Sequence, residues 1–173
     1  MTLNPKEEGI APAPSNFGAR TFWLVGRSVV PWTIVMAGIS NAVLHFFPNA
    51  AGIVFYPFAF GGAVGYLTGK KARASNVRNK PPYTILGATF GLVALYISWV
   101  TFLWLLTGEP WFSPGSICDA MRQLAAAGLY FEGFWFPQAH WTDQGTMVWI
   151  YWSIEALAIV GGSTLISATL TEY

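Results

Sequence analysis

Four long apolar blocks, each cut off by prolines, charges or both, leave few folds open to this chain. They run about Ser28 to Phe47, Ala51 to Gly69, Tyr83 to Leu106 and Thr146 to Leu170. A helix of roughly 19–25 residues, at about 1.5 Å per residue, crosses a hydrocarbon core of ~30 Å. Water is a poor solvent for such a chain. Of its 173 residues, 54% are hydrophobic and 10% charged, against about 25% charged in a soluble domain. Nine Trp, seven Tyr and thirteen Phe suit the membrane–water boundary, where amphipathic aromatics collect. The predicted fold class is therefore an all-α integral membrane protein with four transmembrane helices in a single domain over 21–173. Residues 1–20 form a polar, Pro-rich tail without periodicity. That stretch lacks the apolar core of a signal peptide, so the first span is expected to stay in the mature protein.

The basic residues orient the bundle. Lys6, Arg20 and Arg27 precede or open the first block, and Lys70, Lys71, Arg73, Arg78 and Lys80 fill the loop between the second and third. The other side holds one basic residue, Arg122, beside Glu109, Asp119, Glu132 and Asp143. The positive-inside rule then puts both termini and the 70–82 loop in the cytoplasm. The same five loop residues are candidates for binding anionic lipid headgroups. A net charge of +1 gives no case for nucleic acid. Cys118 is the sole cysteine, so neither an intrachain disulfide nor a multi-Cys metal site can form.

The outer loop, 107–145, is too long for a bare connection. Ser113-Pro114 reads as a helix start and Gly128 as a stop. Ile117, Met121, Leu124 and Ala125 share one face, with Asp119, Arg122 and Gln123 opposite. This predicts a short amphipathic helix on the membrane surface or on the bundle. Trp111, Phe134, Trp135 and Trp141 are either interfacial anchors or a docking surface for a partner or lipid. Pro31 is read as lying in the opening turn of the first span, where a missing N–H costs nothing, and Pro57 as a kink in the second.

Small residues four apart let helix backbones approach closely. Gly61, Gly65 and Gly69 in the second span and Gly87 and Gly91 in the third lie at matched depth beside the basic loop. They are expected to face each other in a tight hairpin. Gly161, Gly162, Ser163 and Ser167 give the fourth span a similar small face.

Glu155 lies about nine residues, or ~13 Å, below the outer end of the last span. A charged carboxylate near the bilayer centre costs about 2.5–3.5 kcal/mol on insertion scales. It must be protonated, paired, or facing protein or water. Asn41, His45, Ser98, Thr101 and Tyr151 fall in the same outer half. Asn41 and His45 share a helix face, as do Tyr151 and Glu155, each pair being i, i+4. Three readings stand: a structural network with Glu155 donating to Asn41, a site that handles protons or a ligand, or a contact to another subunit. His45 is also the candidate axial ligand for haem or chlorophyll. No other cofactor is expected, and no catalytic or phosphate-binding motif is present.

The segments GYLTGKKARASNVRN (65–79), ALYISWVTF (94–102) and WSIEAL (152–157) resemble a group of small multi-pass bacterial membrane proteins of unknown function. The likeness spans about 28–170 and implies no activity. Members of that group often carry a polar C-terminal extension beyond the position of Tyr173. The expected role is a non-catalytic accessory or scaffold subunit of a larger membrane complex, partnered by the lipid bilayer and other membrane subunits. The alternatives are a small proton-coupled transporter using Glu155 and a pigment- or haem-associated subunit.

Overall fold

The computed structural model describes residues 17–46, 50–75, 77, 80–109, 113–132, 140–143 and 145–170; at 44–46, 50–54, 129–132 and 140–143 it describes the backbone only. Five helices and one hairpin follow in order: α1 (Ala19–Phe46), α2 (Ala50–Ala74), α3 (Lys80–Thr107), α4 (Pro114–Ala127), β1 (Leu129–Glu132), β2 (His140–Asp143) and α5 (Thr146–Thr169). Among the described residues three helices are long and apolar enough to cross a membrane: α1 over Ala19–Val43, α3 and α5.

The helices outrun the apolar blocks at their basic ends. α1 begins at Ala19, not Ser28, so Arg20 and Arg27 belong to the helix rather than to a tail. A strict four-residue repeat drives this extension. Thr21, Val25, Val29, Thr33, Ala37 and Asn41 are all buried, and they make one continuous inward stripe. The arginines lie off that stripe, and the Arg27 guanidinium sits 5.5 Å from the Trp23 ring centroid. Pro31 is consequently inside α1 rather than in its opening turn. It is tolerated on the exposed face. α2 likewise runs on to Ala74, with Lys71 and Arg73 in its last turn, where cations complement the exposed carbonyls. α3 starts at Lys80, before the two prolines that the sequence placed in a loop; proline fits a first helical turn.

α5 packs most closely on α2 and α3, which also touch each other, while α1 packs on α3 and α2. The cross-section is a diamond with α1 and α5 at opposite corners. Its core runs through Val25, Val29, Ala37, Phe60, Val64, Leu86, Phe90, Ala94 and Ile159. The outward faces are strongly apolar: Leu157 is 73% exposed, Leu165 68%, Phe55 67% and Ile39 61%. Such surface is incompatible with water at this density and matches a lipid bilayer.

The glycines do not join α2 to α3 as the sequence predicts. Both rows face α5. A methyl group at Gly61 would stand 2.6 Å from the Ala158 carbonyl oxygen, and one at Gly65 2.5 Å from that of Ser163. At Gly87 and Gly91 it would meet Ser163 and Val160 at 2.8 and 2.9 Å, and at Gly69 it would meet Leu170 at 2.6 Å. α5 therefore lies in a trough floored by glycine on two sides. Its own small residues complete the seam: Ser163 Oγ donates to the Gly87 carbonyl at 2.8 Å and Ser167 Oγ to the Tyr83 carbonyl at 3.1 Å.

The other end of the bundle is filled by aromatic rings. Trp99 meets Trp152 edge to face at 4.7 Å between centroids and Phe102 at 5.7 Å. Trp149 stands edge-on to Trp152 at 5.2 Å. α4 caps this cluster by burying Ile117, Ala120 and Ala125 against Leu103 and Val148. Its limits match the sequence signals: Ser113 precedes it, and Gly128, at φ 92°, closes it by donating to the Leu124 carbonyl. The exposed face carries an Asp119–Arg122 ion pair at 3.0 Å. The segment after α4, read from sequence as an aromatic loop, forms the antiparallel pair β1–β2, with Phe131 opposite Trp141. Gly145 N–H then bonds the Ala125 carbonyl at 2.8 Å, tying the end of α4 to the start of α5.

Candidate functional site

Between the glycine end and the aromatic end, the inward stripes lose their apolar character at one level. On α1 the stripe reaches Asn41, buried like the residues before it. On α3 it passes from Ala94 to Ser98, also buried. On α5 the buried residues Val148, Trp152, Ile159, Ser163 and Ser167 form a stripe whose three- and four-residue steps include Glu155. A helix repeating every 3.6 residues puts that carboxyl on the inward face, where it is half-buried. On α2, Tyr56 adjoins the stripe of Pro57, Phe60, Val64 and Thr68 and stacks on Phe60 at 5.5 Å.

These groups come together across the bundle. Asn41 Nδ2 donates to the Ser98 carbonyl at 2.9 Å, which links α1 to α3. The Tyr56 side chain approaches Ser98 on α3 and Ser40 on α1, and lies within electrostatic reach of Glu155 on α5. Its hydroxyl oxygen is buried and makes no well-formed hydrogen bond among the described residues. Orphaning a buried hydroxyl costs about 1–3 kcal/mol, so this atom stands out. Thr68 Oγ1 is in the same condition, but it belongs to the glycine end, between Gly65 and Gly69.

The sequence reading identified Asn41, Ser98 and Glu155 and missed Tyr56 and Ser40. Asn41 commits its amide nitrogen to the Ser98 carbonyl rather than standing simply as the acceptor for Glu155. Thr101 is drawn away from the layer, because its hydroxyl donates to the Ile97 carbonyl of its own helix at 2.7 Å. Tyr151 is half-buried, one turn before Glu155. His45 lies in the last turn of α1, with its side chain outside the described residues, and so does the proposed ligation of haem or chlorophyll. Trp111, Phe134 and Trp135 also lie outside, and Trp141 is described only as backbone in β2.

The basic residues sit at the far end. Lys70, Lys71, Arg73 and Lys80 are exposed, and Arg78 lies outside the described residues. Lys70 Nζ stands 6.0 Å from the centre of the Tyr66 ring. With Arg27 on Trp23, this places cation–aromatic contacts on two helices at one end, the arrangement an interfacial belt requires.

Among the described residues no group of three or more His, Cys, Asp or Glu side chains is placed to hold a metal ion. The polar layer instead gathers the Glu155 carboxyl, the hydroxyls of Tyr56, Ser98 and Ser40, and the Asn41 amide. Sequence comparison adds no relative: no protein-family model, no curated protein and no solved structure matches this chain.

Proposed function

We propose that this chain is a four-span structural subunit of a bacterial inner-membrane complex, without catalytic activity of its own. In this reading α1, α2, α3 and α5 all cross the bilayer. The support for α2 is its place inside the diamond together with the outward exposure of Phe55, Phe58 and Tyr66. The basic ends of α1, α2 and α3 then lie in the cytoplasm, with both termini on that side. α4 and the hairpin lie outside, α4 acting as an interfacial helix.

The observation that carries the structural role is the seating of α5. Two glycine rows and two serine hydroxyls hold it at backbone contact on α2 and α3. A carrier that rocks between open states needs one bundle to slide past another, and this seam leaves no room for sliding. Such a bundle serves best as a fixed frame for something else. Gentle solubilisation at native expression, followed by chemical crosslinking and mass spectrometry, tests the proposal. Stoichiometric partner subunits crosslinked to the 113–145 segment are expected. A monodisperse particle of this chain alone, with no crosslinked partner, overturns it.

Glu155 supports a second reading, a small proton-coupled transporter, because an inward intramembrane carboxyl is what such a carrier needs. Reconstituted proteoliposomes decide it: proton-driven solute uptake that vanishes in Glu155→Gln favours the carrier over the frame.

A further inference from the structure

The polar layer is built in a way that a structural frame does not require. A bundle held by the glycine seam could be apolar throughout, yet all four inward faces turn polar at one level. We propose that this layer binds one alkali cation, with Glu155 supplying the charge and Tyr56, Ser98 and Ser40 supplying neutral oxygens.

Three observations lead there. The first is the Tyr56 hydroxyl, buried without a well-formed hydrogen bond among the described residues, with the Ser98 and Ser40 hydroxyls beside it and Glu155 within electrostatic reach. A proton on Glu155 would neutralise the carboxylate but would not draw the three hydroxyl oxygens together. A cation lodged among these groups answers both needs. The second is the donor chemistry. Hydroxyl and carboxylate oxygens are hard ligands and suit alkali or alkaline-earth ions rather than zinc, copper or iron. The third is charge. One carboxylate in a low-dielectric layer balances one positive charge, whereas a divalent ion would leave a net charge buried, at heavy cost. Calcium and magnesium sites are also normally built around more than one carboxylate or around phosphate. The Asn41 bond to the Ser98 carbonyl fixes the α1–α3 side of the layer, so the oxygens of Ser40 and Ser98 are held in place before an ion arrives.

The inference is independent of partner subunits and needs only the layer itself. It is tested on the purified full-length chain in detergent at fixed pH and ionic strength. Choline chloride is replaced stepwise by NaCl and, in a separate series, by KCl. The thermal unfolding midpoint is expected to rise saturably with one of the two ions, as it must when a ligand binds only the folded state. Equilibrium dialysis with that ion should give one bound per chain. Glu155→Gln is expected to lose the rise. Tyr56→Phe is expected to shift half-saturation about tenfold upward, the equivalent of ~1.4 kcal/mol. Asp119→Asn, on the exposed face of α4, should respond as the wild type does.

Three results overturn the proposal: equal midpoints in choline, sodium and potassium; a midpoint that follows pH alone and ignores both ions; or an ion response unchanged in Glu155→Gln. If Glu155→Gln fails to elute as a folded particle, Tyr56→Phe decides, and an unchanged half-saturation counts against the site.

Discussion

The two ends of the bundle reach close packing by opposite means. At the basic end, α5 meets α2 and α3 across glycines, and backbone lies against backbone. At the other end α3 and α5 are held apart by indole rings set edge to face, with α4 closing over them. In lipid there is little hydrophobic gain in joining helices, so contact area and hydrogen bonds carry the association. Glycine brings carbonyls within reach of Ser163 and Ser167. Tryptophan fills volume and tolerates a wider gap. The glycine end is thus a fit with no slack, and the aromatic end is a filling whose pieces can be exchanged.

That contrast can be broken experimentally. The largest effect is expected from Gly65→Leu, whose first carbon already falls 2.5 Å from the Ser163 carbonyl. It should abolish the folded particle, as read by size-exclusion elution and circular dichroism. Gly62→Ala, one helical step from Gly61 with nothing within 4 Å, should leave the unfolding midpoint unchanged or slightly raised. If both variants behave alike, the seam is not where the structure places it. Trp99→Ala comes next. It removes the ring at the centre of the aromatic cluster and should cost about 3 kcal/mol, read by reversible unfolding in mixed micelles. Trp99→Phe should recover most of that, which a filled volume permits and a strict fit would not.

Smaller effects sharpen the comparison. Ser167→Ala removes an interhelical bond to the Tyr83 carbonyl and is expected to cost about 0.6 kcal/mol, the usual size for such bonds in membranes. A loss of several kcal/mol would mean that the hydroxyl, rather than the glycine contact, holds the seam. Asp119→Ala breaks an ion pair whose side chains are 72% and 65% exposed, and it should change stability by less than about 0.5 kcal/mol.

Much of this was legible in the sequence, and the gaps have physical reasons. Apolar runs betrayed the helices, because lipid demands them. They did not reveal that α1 begins at Ala19, since the arginines there hide a four-residue repeat of small and branched residues. The glycine spacing showed a face open to close approach. It could not say which helix fills it, because a small-residue groove does not encode its occupant; Ser163 and Ser167 held the clue. Ser113, Pro114 and Gly128 announced α4 correctly, as local backbone chemistry usually does. The hairpin escaped notice because its strands are four residues each, too short for alternation to stand out. Glu155, Asn41 and Ser98 were conspicuous as polar groups in apolar blocks. Tyr56 was not, since a tyrosine in an apolar helix looks like an ordinary ring until its hydroxyl is found buried beside serines of two other helices.

The seating of α5 also governs the order of assembly. Its docking trough is made by α2 and α3, both earlier in the chain. During synthesis those two helices are made first, with their glycine rows open, and must wait, while α4 and the hairpin are made, for the helix that fits. For that interval the half-built bundle displays a groove that any small-faced helix nearby could enter. The large side chains on the outward faces of α2 and α3 do nothing to close it. The arrival of α5 is therefore the step that ends this exposure and commits the chain to its own fold.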